Sequence, residues 1–350
     1  MFSAFTGVGG FELGLPENWE VIGQSEVDKN ANKVLRYRFP RVRNYGDIEK
    51  IDHREIPDFD VLVGGSPCQD LSLAGKRKGL VGSKSRLFYS YVNILKEKHP
   101  RYFIFENVAG LLSSNQGWDF AEVVNQFSEA GYGIWWQVLD AKDFGIPQHR
   151  ERIFILGSAG RESLRKVFLE PRKSEADNGL QRQTSNTIGS RYKGGRAVGT
   201  YIVSKTLIGA YRSKEIDDGN FIVEGKLDAQ KEIENIHFSR RQQDRIYGTN
   251  GIAPTLHRHT GGGQITKIVT TRSTNIRYLT PLECERLMGW PDNWTKWGID
   301  EKGEVVELSD NARYNLIGNG VVPQVVCAVI DKMMPNDNQD ATIAMMEVAY

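Results

Sequence analysis

Phe59-Asp60-Val61-Leu62-Val63-Gly64-Gly65-Ser66-Pro67-Cys68-Gln69 is the stretch on which the reading of this chain turns. The apolar run Val61–Val63 has the character of a core strand in a parallel sheet, buried on both faces. A glycine-proline turn ends it and sets Cys68 just beyond the strand's carboxyl end, where open α/β sheets bind their ligands. A free cysteine is ordinarily a small buried hydrophobe, and a reactive one needs a lowered pKa or partner groups. The meaning of Cys68 therefore depends on what the rest of the chain brings to it.

Outward from that strand, apolar candidates at Phe2–Phe5, Trp19–Gln24, Tyr102–Phe105, Trp135–Leu139 and Ile153–Leu156 alternate with helical patterns, the clearest at Leu87–Lys98 and Phe120–Ala130. Alternation of this kind predicts a doubly wound α/β sheet. From Ser158 to Asn275 the alternation breaks down. Glycines cluster at Gly194-Gly195 and Gly261-Gly262-Gly263, and short Val/Ile/Thr runs predict a small, loop-rich domain with strands. Order returns at Leu279–Met288, where Thr280-Pro281 and Glu283 make a capping-box start with proline in the first turn. The expected organisation is one main domain from residues 1–157 and 276–350, interrupted by a second domain at 158–275.

The 350 residues are 39% hydrophobic and 25% charged, an ordinary globular composition. No window approaches 18 uninterrupted apolar residues, so no membrane span is expected. Met1-Phe2-Ser3-Ala4-Phe5 lacks the basic and apolar regions of a secretory signal. Cys68, Cys284 and Cys327 lie far apart, without metal-ligand or disulfide spacing, which points to a reducing cytoplasm and no metal. The net charge of +1 conceals an uneven distribution. Residues 158–275 hold 20 Lys and Arg against 12 Asp and Glu, a net of +8, and the remainder carries 25 against 32, a net of −7. Such asymmetry fits a segment that meets a polyanion, and equally a solvated basic surface.

The first strand runs into Phe5-Thr6-Gly7-Val8-Gly9-Gly10, glycines that permit a tight turn and close approach to a ligand at the following helical turn. Glu26, sixteen residues after Gly10 and at the end of the second strand candidate, is placed to accept from ribose hydroxyls. Asp47, after a weak third strand near Asn44–Gly46, is placed to receive an adenine amino group. These residues favour a nucleotide-type cofactor and leave NAD and S-adenosylmethionine both open. Further on, Glu106 ends the apolar strand Phe103–Phe105, an expensive position for an acid without work or a partner. Arg150 and Arg152 precede the last strand with the spacing to point the same way, suited to a phosphate, a carboxylate or a polarised carbonyl. Singly, each of these motifs also reads as a structural ion pair.

Together the stretches resemble the C5-cytosine DNA methyltransferase family. Phe5–Gly10 is similar to its cofactor loop, Pro67-Cys68-Gln69 to its nucleophile motif, Glu106-Asn107-Val108 to its ENV motif and Gln148–Arg152 to its Q-x-R-x-R motif. Thr280–Pro291 and Gly318-Asn319-Gly320-Val321-Val322 resemble its last two motifs. The order matches over nearly the whole chain, with only Ser158 to about Arg240 lacking a match.

The resemblance implies a Rossmann-like S-adenosylmethionine-dependent methyltransferase sheet with a smaller target-recognition domain at 158–275. It implies Cys68, Glu106, Arg150 and Arg152 as the catalytic set, with both arginines orienting Glu106 and the base carbonyl. It implies a pocket for S-adenosyl-L-methionine formed by Phe5, Gly7, Val8, Gly10, Glu26, Val27, Asp47, Ile48, Pro67, Leu87, Asn319 and Val321. Val27 departs from the aromatic that many members carry after the ribose-binding acid, and the chain begins directly in its first strand. Asp70–Arg86 looks like the mobile loop that closes over a flipped cytosine, with Gln69, Ser72, Lys76 and Lys78 toward DNA. In the basic segment, Arg245 would read a guanine, Gln242 or Gln243 would fill the gap left by the flipped base, and Thr255-Leu256 matches a recurrent pair. The implied partner is double-stranded DNA met by a monomer in the cytoplasm of a bacterial or phage-infected cell, with any cognate restriction endonuclease acting separately. Two alternatives share features. The family's tRNA-methylating branch has the same catalytic set, but its Cys-Phe-Thr signature is absent from 158–275. A nicotinamide-dependent oxidoreductase would use Gly7–Gly10 and Glu26, but leaves Cys68, Glu106 and the arginines without a role.

Overall fold

The computed structural model describes residues 1–66, 86–159, 253–256, 266–269 and 276–333, with short strands at 212–215, 221–224, 235–236 and 246–247. The main sheet contains β1 (Phe2–Ala4), β2 (Gly23–Ser25), β3 (Val61–Gly64), β4 (Tyr102–Val108), β5 (Tyr132–Asp140) and β6 (Glu151–Ala159), in the spatial order β2-β1-β3-β4-β6-β5. β1 pairs in parallel with β2 and with β3, and β3 with β4. β6 runs antiparallel to β4 on one side and to β5 on the other.

Period-two alternation divides the strand residues between two cores. Val61, Val63, Ile104, Phe154 and Leu156 face one layer, and Leu62, Phe103, Phe105, Ile153 and Ile155 face the other. The first layer is closed by α1 (Lys29–Arg38), the second by α2 (Arg86–Lys98) and α3 (Trp118–Glu129). The predicted doubly wound α/β architecture is therefore present, with the sheet mostly parallel. On the α2–α3 side the packing is aromatic. Phe103 packs at a tilt on Phe127, centroids 4.4 Å apart, beside Tyr132 and Tyr91. The buried Tyr91 hydroxyl donates to Ile104 O at 3.1 Å, so the cluster carries no orphaned phenol there.

Three short sheets follow in chain order. β7 (Arg212–Glu215) pairs with β8 (Phe221–Glu224), and β9 (Asn235–Ile236), β10 (Ile246–Tyr247), β11 (Lys267–Val269) and β12 (Ile276–Tyr278) form a four-stranded sheet. β13 (Trp297–Ile299) and β14 (Val305–Glu307) make a hairpin against α1. Helices α4 (Pro281–Leu287), α5 (Asp310–Gly318) and α6 (Pro323–Met333) complete the first layer. The α4 start is the predicted capping box: Thr280 Oγ1 accepts from Glu283 N while Glu283 Oε2 accepts from Thr280 N. Asp310–Met333 is long and apolar enough on average to cross a bilayer. It consists of two helices broken at 319–322, and its apolar residues pack into the core against the sheet.

A buried ion network ties α4 to α5. Glu285 of α4 accepts from Arg313 Nη2 of α5 at 3.1 Å, from Thr295 N at 2.8 Å and from Asn293 N at 2.9 Å. Every oxygen of the fully buried carboxylate is thus occupied, which is the condition under which a buried ion pair is tolerated.

The structure differs from expectation at two strands. The second strand is confined to Gly23–Ser25 because Trp19 and Val21 turn into the core on the approach to it. The weak strand near Asn44–Gly46 is a single bridge, Gln24 to Asn44.

Gly157 of β6 lies directly under Phe103, where an added Cβ would stand 1.9 Å from Cε1. Phe103 is hemmed in by Phe127 and Tyr132 and cannot yield. Gly157→Ala should therefore destabilise the protein by about 1–3 kcal/mol through overpacking, read as a lower urea midpoint at unchanged slope.

Candidate active site

The antiparallel course of β6 decides which residues meet. Its first residues lie beside the last residues of β4, with Val108 opposite Arg152 and Glu106 opposite Phe154. Glu106 and Arg152 are thus diagonal neighbours on one face. Arg152 Nε sits 3.0 Å from Glu106 Oε1, both side chains largely buried. Burial pushes the Glu106 carboxyl above the usual carboxylate range, and Arg152 and Arg150 pull it back only in part. The chain leaving β3 passes so close that a Cβ on Gly65 would stand 2.3 Å from Glu106 O. Asn107 Nδ2 donates to Ser66 O at 3.0 Å. The turn that leads to Pro67-Cys68-Gln69 is thereby pinned against the Glu106-Asn107 strand end. Cys68 itself, with Pro67, Gln69, Ser72, Lys76 and Lys78, lies outside the described residues, as do Gln242, Gln243 and Arg245.

Arg150 takes a different set of partners from Arg152. Its guanidinium is buried and donates from Nη1 to Leu256 O at 3.1 Å and from Nη2 to Gly318 O and Gly320 O. Expected beside Arg152 on Glu106, it makes its hydrogen bonds to three backbone carbonyls and touches Glu106 only through its charge. Gln148, which the motif contains but to which no role was assigned from sequence, is completely buried. It donates to Leu287 O of α4 at 2.6 Å and accepts from Leu256 N at 3.2 Å. His149 N donates to Ala253 O, Ala253 N to Pro147 O, and the Thr255 hydroxyl to His149 O. Ala253–Leu256 is therefore strapped along Pro147–Arg150, and the predicted DNA-contacting Thr255 is part of that strap. A buried amide inside a charged motif is the signal that would have found Gln148, because it must bond on both sides.

At the other side of β3, the glycine loop follows β1 and Glu26 follows β2. Gly7 adopts φ +61°, and a Cβ there would meet no atom within 4 Å, so the loop offers open space at its bend. Gly10 packs on Val321, whose carbonyl accepts from Trp290 Nε1 at 3.0 Å. The Glu26 carboxyl accepts from Gly7 N at 2.7 Å, Val27 N at 2.8 Å and Asp28 N at 2.7 Å. A carboxylate has about four lone-pair positions, so one remains open on Oε2. Burial raises the Glu26 pKa while those three N–H groups oppose the shift. Val27 is exposed, a free apolar wall beside the acid. Asp47 caps the turn Ile48–Lys50 through Glu49 N and pairs with Lys50 at 2.9 Å, and Ile48 is buried beneath it. Phe5 begins the loop at φ +54°, Val8 is buried with its carbonyl bound to Trp294 Nε1, Leu87 lies in the first turn of α2, and Asn319 closes α5. An open loop bend, one remaining carboxylate acceptor and an exposed apolar wall fit a nucleoside-bearing cofactor such as S-adenosylmethionine.

Three comparisons bear on this arrangement. The chain is 31% identical over 336 residues to the type II methyltransferase M1.ScrFI of Lactococcus lactis subsp. cremoris, covering 95% of this chain and 77% of that protein. It is 32% identical over 343 residues to the type II methyltransferase M.Bsp6I of Bacillus sp. strain RFL6, covering 95% and 97%. In fold it is similar to the crystal structure of S. pombe Dnmt2 methyltransferase, with TM-score 0.60 at 18% identity over 95% of this chain and 97% of the other. The C-5 cytosine-specific DNA methylase family matches residues 1–335, and with the glycine loop, Glu106-Asn107-Val108 and Gln148–Arg152 gathered at one edge of the sheet, the chain belongs to that family.

Proposed function

We propose that this enzyme transfers a methyl group from S-adenosylmethionine to carbon 5 of a cytosine flipped out of duplex DNA, through a covalent bond between Cys68 Sγ and carbon 6. The observation that carries the reading is the Glu106–Arg152 pair, held against the turn that leads to Cys68. Carbon 5 of cytosine is a poor nucleophile until a group adds at carbon 6, which is the work assigned to Cys68. An ordinary thiol is about one-tenth ionised near pH 7.5, so cationic neighbours at the strand ends assist. Glu106, whose pKa burial raises, acts in its protonated form by donating to N3, which takes up the charge that addition pushes onto the ring. Arg152 fixes that carboxyl in place and faces the base carbonyl.

S-adenosylmethionine, when bound, supplies the methyl group as a sulfonium electrophile. Gly7, Gly10, Glu26, Val27 and Val321 would hold it, with Glu26 Oε2 accepting from a ribose hydroxyl. Once carbon 5 carries the methyl, its proton passes to water and Cys68 departs, which restores the ring. Flipping costs a few kcal/mol and is met by contacts that only the extruded base makes. In this reading residues 1–157 with 276–350 form the catalytic domain. Residues 158–275 form the recognition domain, and its excess positive charge lies on the DNA backbone. The enzyme acts as a monomer in a bacterial or phage-infected cytoplasm, with any cognate endonuclease a separate protein.

Bisulfite sequencing of DNA from cells expressing the wild type should show methylated cytosines in one short motif, and none with Cys68→Ser. Unmethylated DNA in both would sink the assignment, and methylated tRNA beside unmodified duplex would move it to RNA. Glu106 acts as the acid, so turnover should fall as pH rises past its raised pKa. Glu106→Gln should lower the single-turnover rate about 10²-fold or more and abolish that alkaline decline.

A further inference from the structure

Trp290 and Trp294 belong to the short segment between α4 and β13, and both indole N–H groups end on backbone carbonyls at the glycine loop. Trp294 Nε1 donates to Val8 O at 2.8 Å, inside the loop. Trp290 Nε1 donates to Val321 O at 3.0 Å, and Val321 is the residue on which Gly10 packs. One segment therefore holds both backbone stretches that meet at Gly10.

That segment is itself fastened on every side. The Glu285 carboxylate accepts from Asn293 N and Thr295 N, the two neighbours of Trp294. Arg38, at the end of α1, donates from Nε and Nη2 to Trp294 O at 3.0 and 2.9 Å, and its guanidinium lies over the indole, 4.5 Å from the ring centroid. Phe39 packs edge-on against the same ring at 6.0 Å and leaves no room for a Cβ on Gly9. Trp290 is buried, with its ring against Gly320. Both indoles are thus fixed in place where they meet the carbonyls.

The loop they hold is costly to order. Gly7 and Gly9 adopt φ +61° and +89°, and glycine loses more backbone freedom on being fixed than any other residue. Ordering already complete in the free protein does not weaken binding. Ser25 and Glu26 hold the start of the loop through Thr6 N and Gly7 N, and Trp294 holds its middle from a different element.

We propose that Trp290 and Trp294 are positioning residues for the methyl donor, their indole N–H groups holding the glycine loop and Val321 in the arrangement that receives it. The proposal rests on the reading of Phe5–Gly10 as the donor loop. Neither tryptophan touches the reacting atoms, and both act through the backbone they hold.

The test is calorimetric binding of S-adenosylmethionine to the full chain. Trp294→Phe keeps an aromatic ring for Phe39 and Arg38 but cannot donate, and should bind the donor about threefold to tenfold more weakly, the effect of one lost hydrogen bond. Trp290→Phe should act in the same way on Val321. Trp297→Phe, in the neighbouring hairpin with its ring beside Lys296, is the control and should match the wild type within about twofold. Wild-type affinity in a folded Trp290 or Trp294 variant would overturn the role of that tryptophan, and an equal loss in Trp297→Phe would overturn both. Coupling is reciprocal, so the bound donor must in turn protect the indoles it depends on. In the wild type, which needs no variant to fold, two of the seven indole N–H groups should exchange with solvent more slowly once the donor is bound. Unchanged exchange at all seven with donor bound would overturn the proposal and leave the donor-loop reading standing. A wild type that binds no donor would overturn that reading, and this proposal with it.

Discussion

The antiparallel pairing of β6 on β4 is the constraint on which the site depends. In an all-parallel sheet the start of the last strand would lie at the opposite edge from the carboxyl ends of the others. Reversal brings Arg152 level with Val108, and so puts a guanidinium where the β4 carboxylate needs one. The same reversal delivers Gln148 and Arg150 to the edge where β3 ends, where they hold Leu256, Leu287 and Gly318–Gly320 by backbone atoms. Segments distant in sequence converge because one strand runs the wrong way for a parallel sheet.

Close approach is the second requirement, and it is met by omission of side chains. Gly65 lets β3 pass against Glu106, and Gly157 lets β6 cross under Phe103. At both positions any larger residue would push apart elements that must touch. The buried charges obey a parallel rule. Glu285 survives in the core because Arg313 and two backbone N–H groups occupy its oxygens. Arg150 survives because three carbonyls receive it, which also makes it a cross-link between the Ala253–Leu256 strap and the end of α5.

Much of the fold was legible because the signals were local. Apolar runs marked β1, β3, β4 and β6, helical periodicity marked α2 and α3, and the Thr280–Glu283 box marked the α4 start within a residue or two. The contact between Arg152 and Glu106 was legible through their motifs. What sequence could not supply was the division of labour between two arginines at i and i+2. Both carry the same charge and point the same way from a strand, so only the tertiary position of Gly318–Gly320 sends one to backbone and the other to Glu106.

Two carboxyls at this end of the sheet are pushed upward by the same burial, and they differ in what answers it. Glu26 is met by three backbone N–H groups, which stabilise an acceptor without supplying a counter-charge. Glu106 is met by a guanidinium at 3.0 Å, which fixes its position while burial still favours the proton. In the proposed reaction the first would accept from a sugar and the second would donate to a ring nitrogen. One type of side chain can serve both because hydrogen bonds, charge and burial are set separately at each strand end.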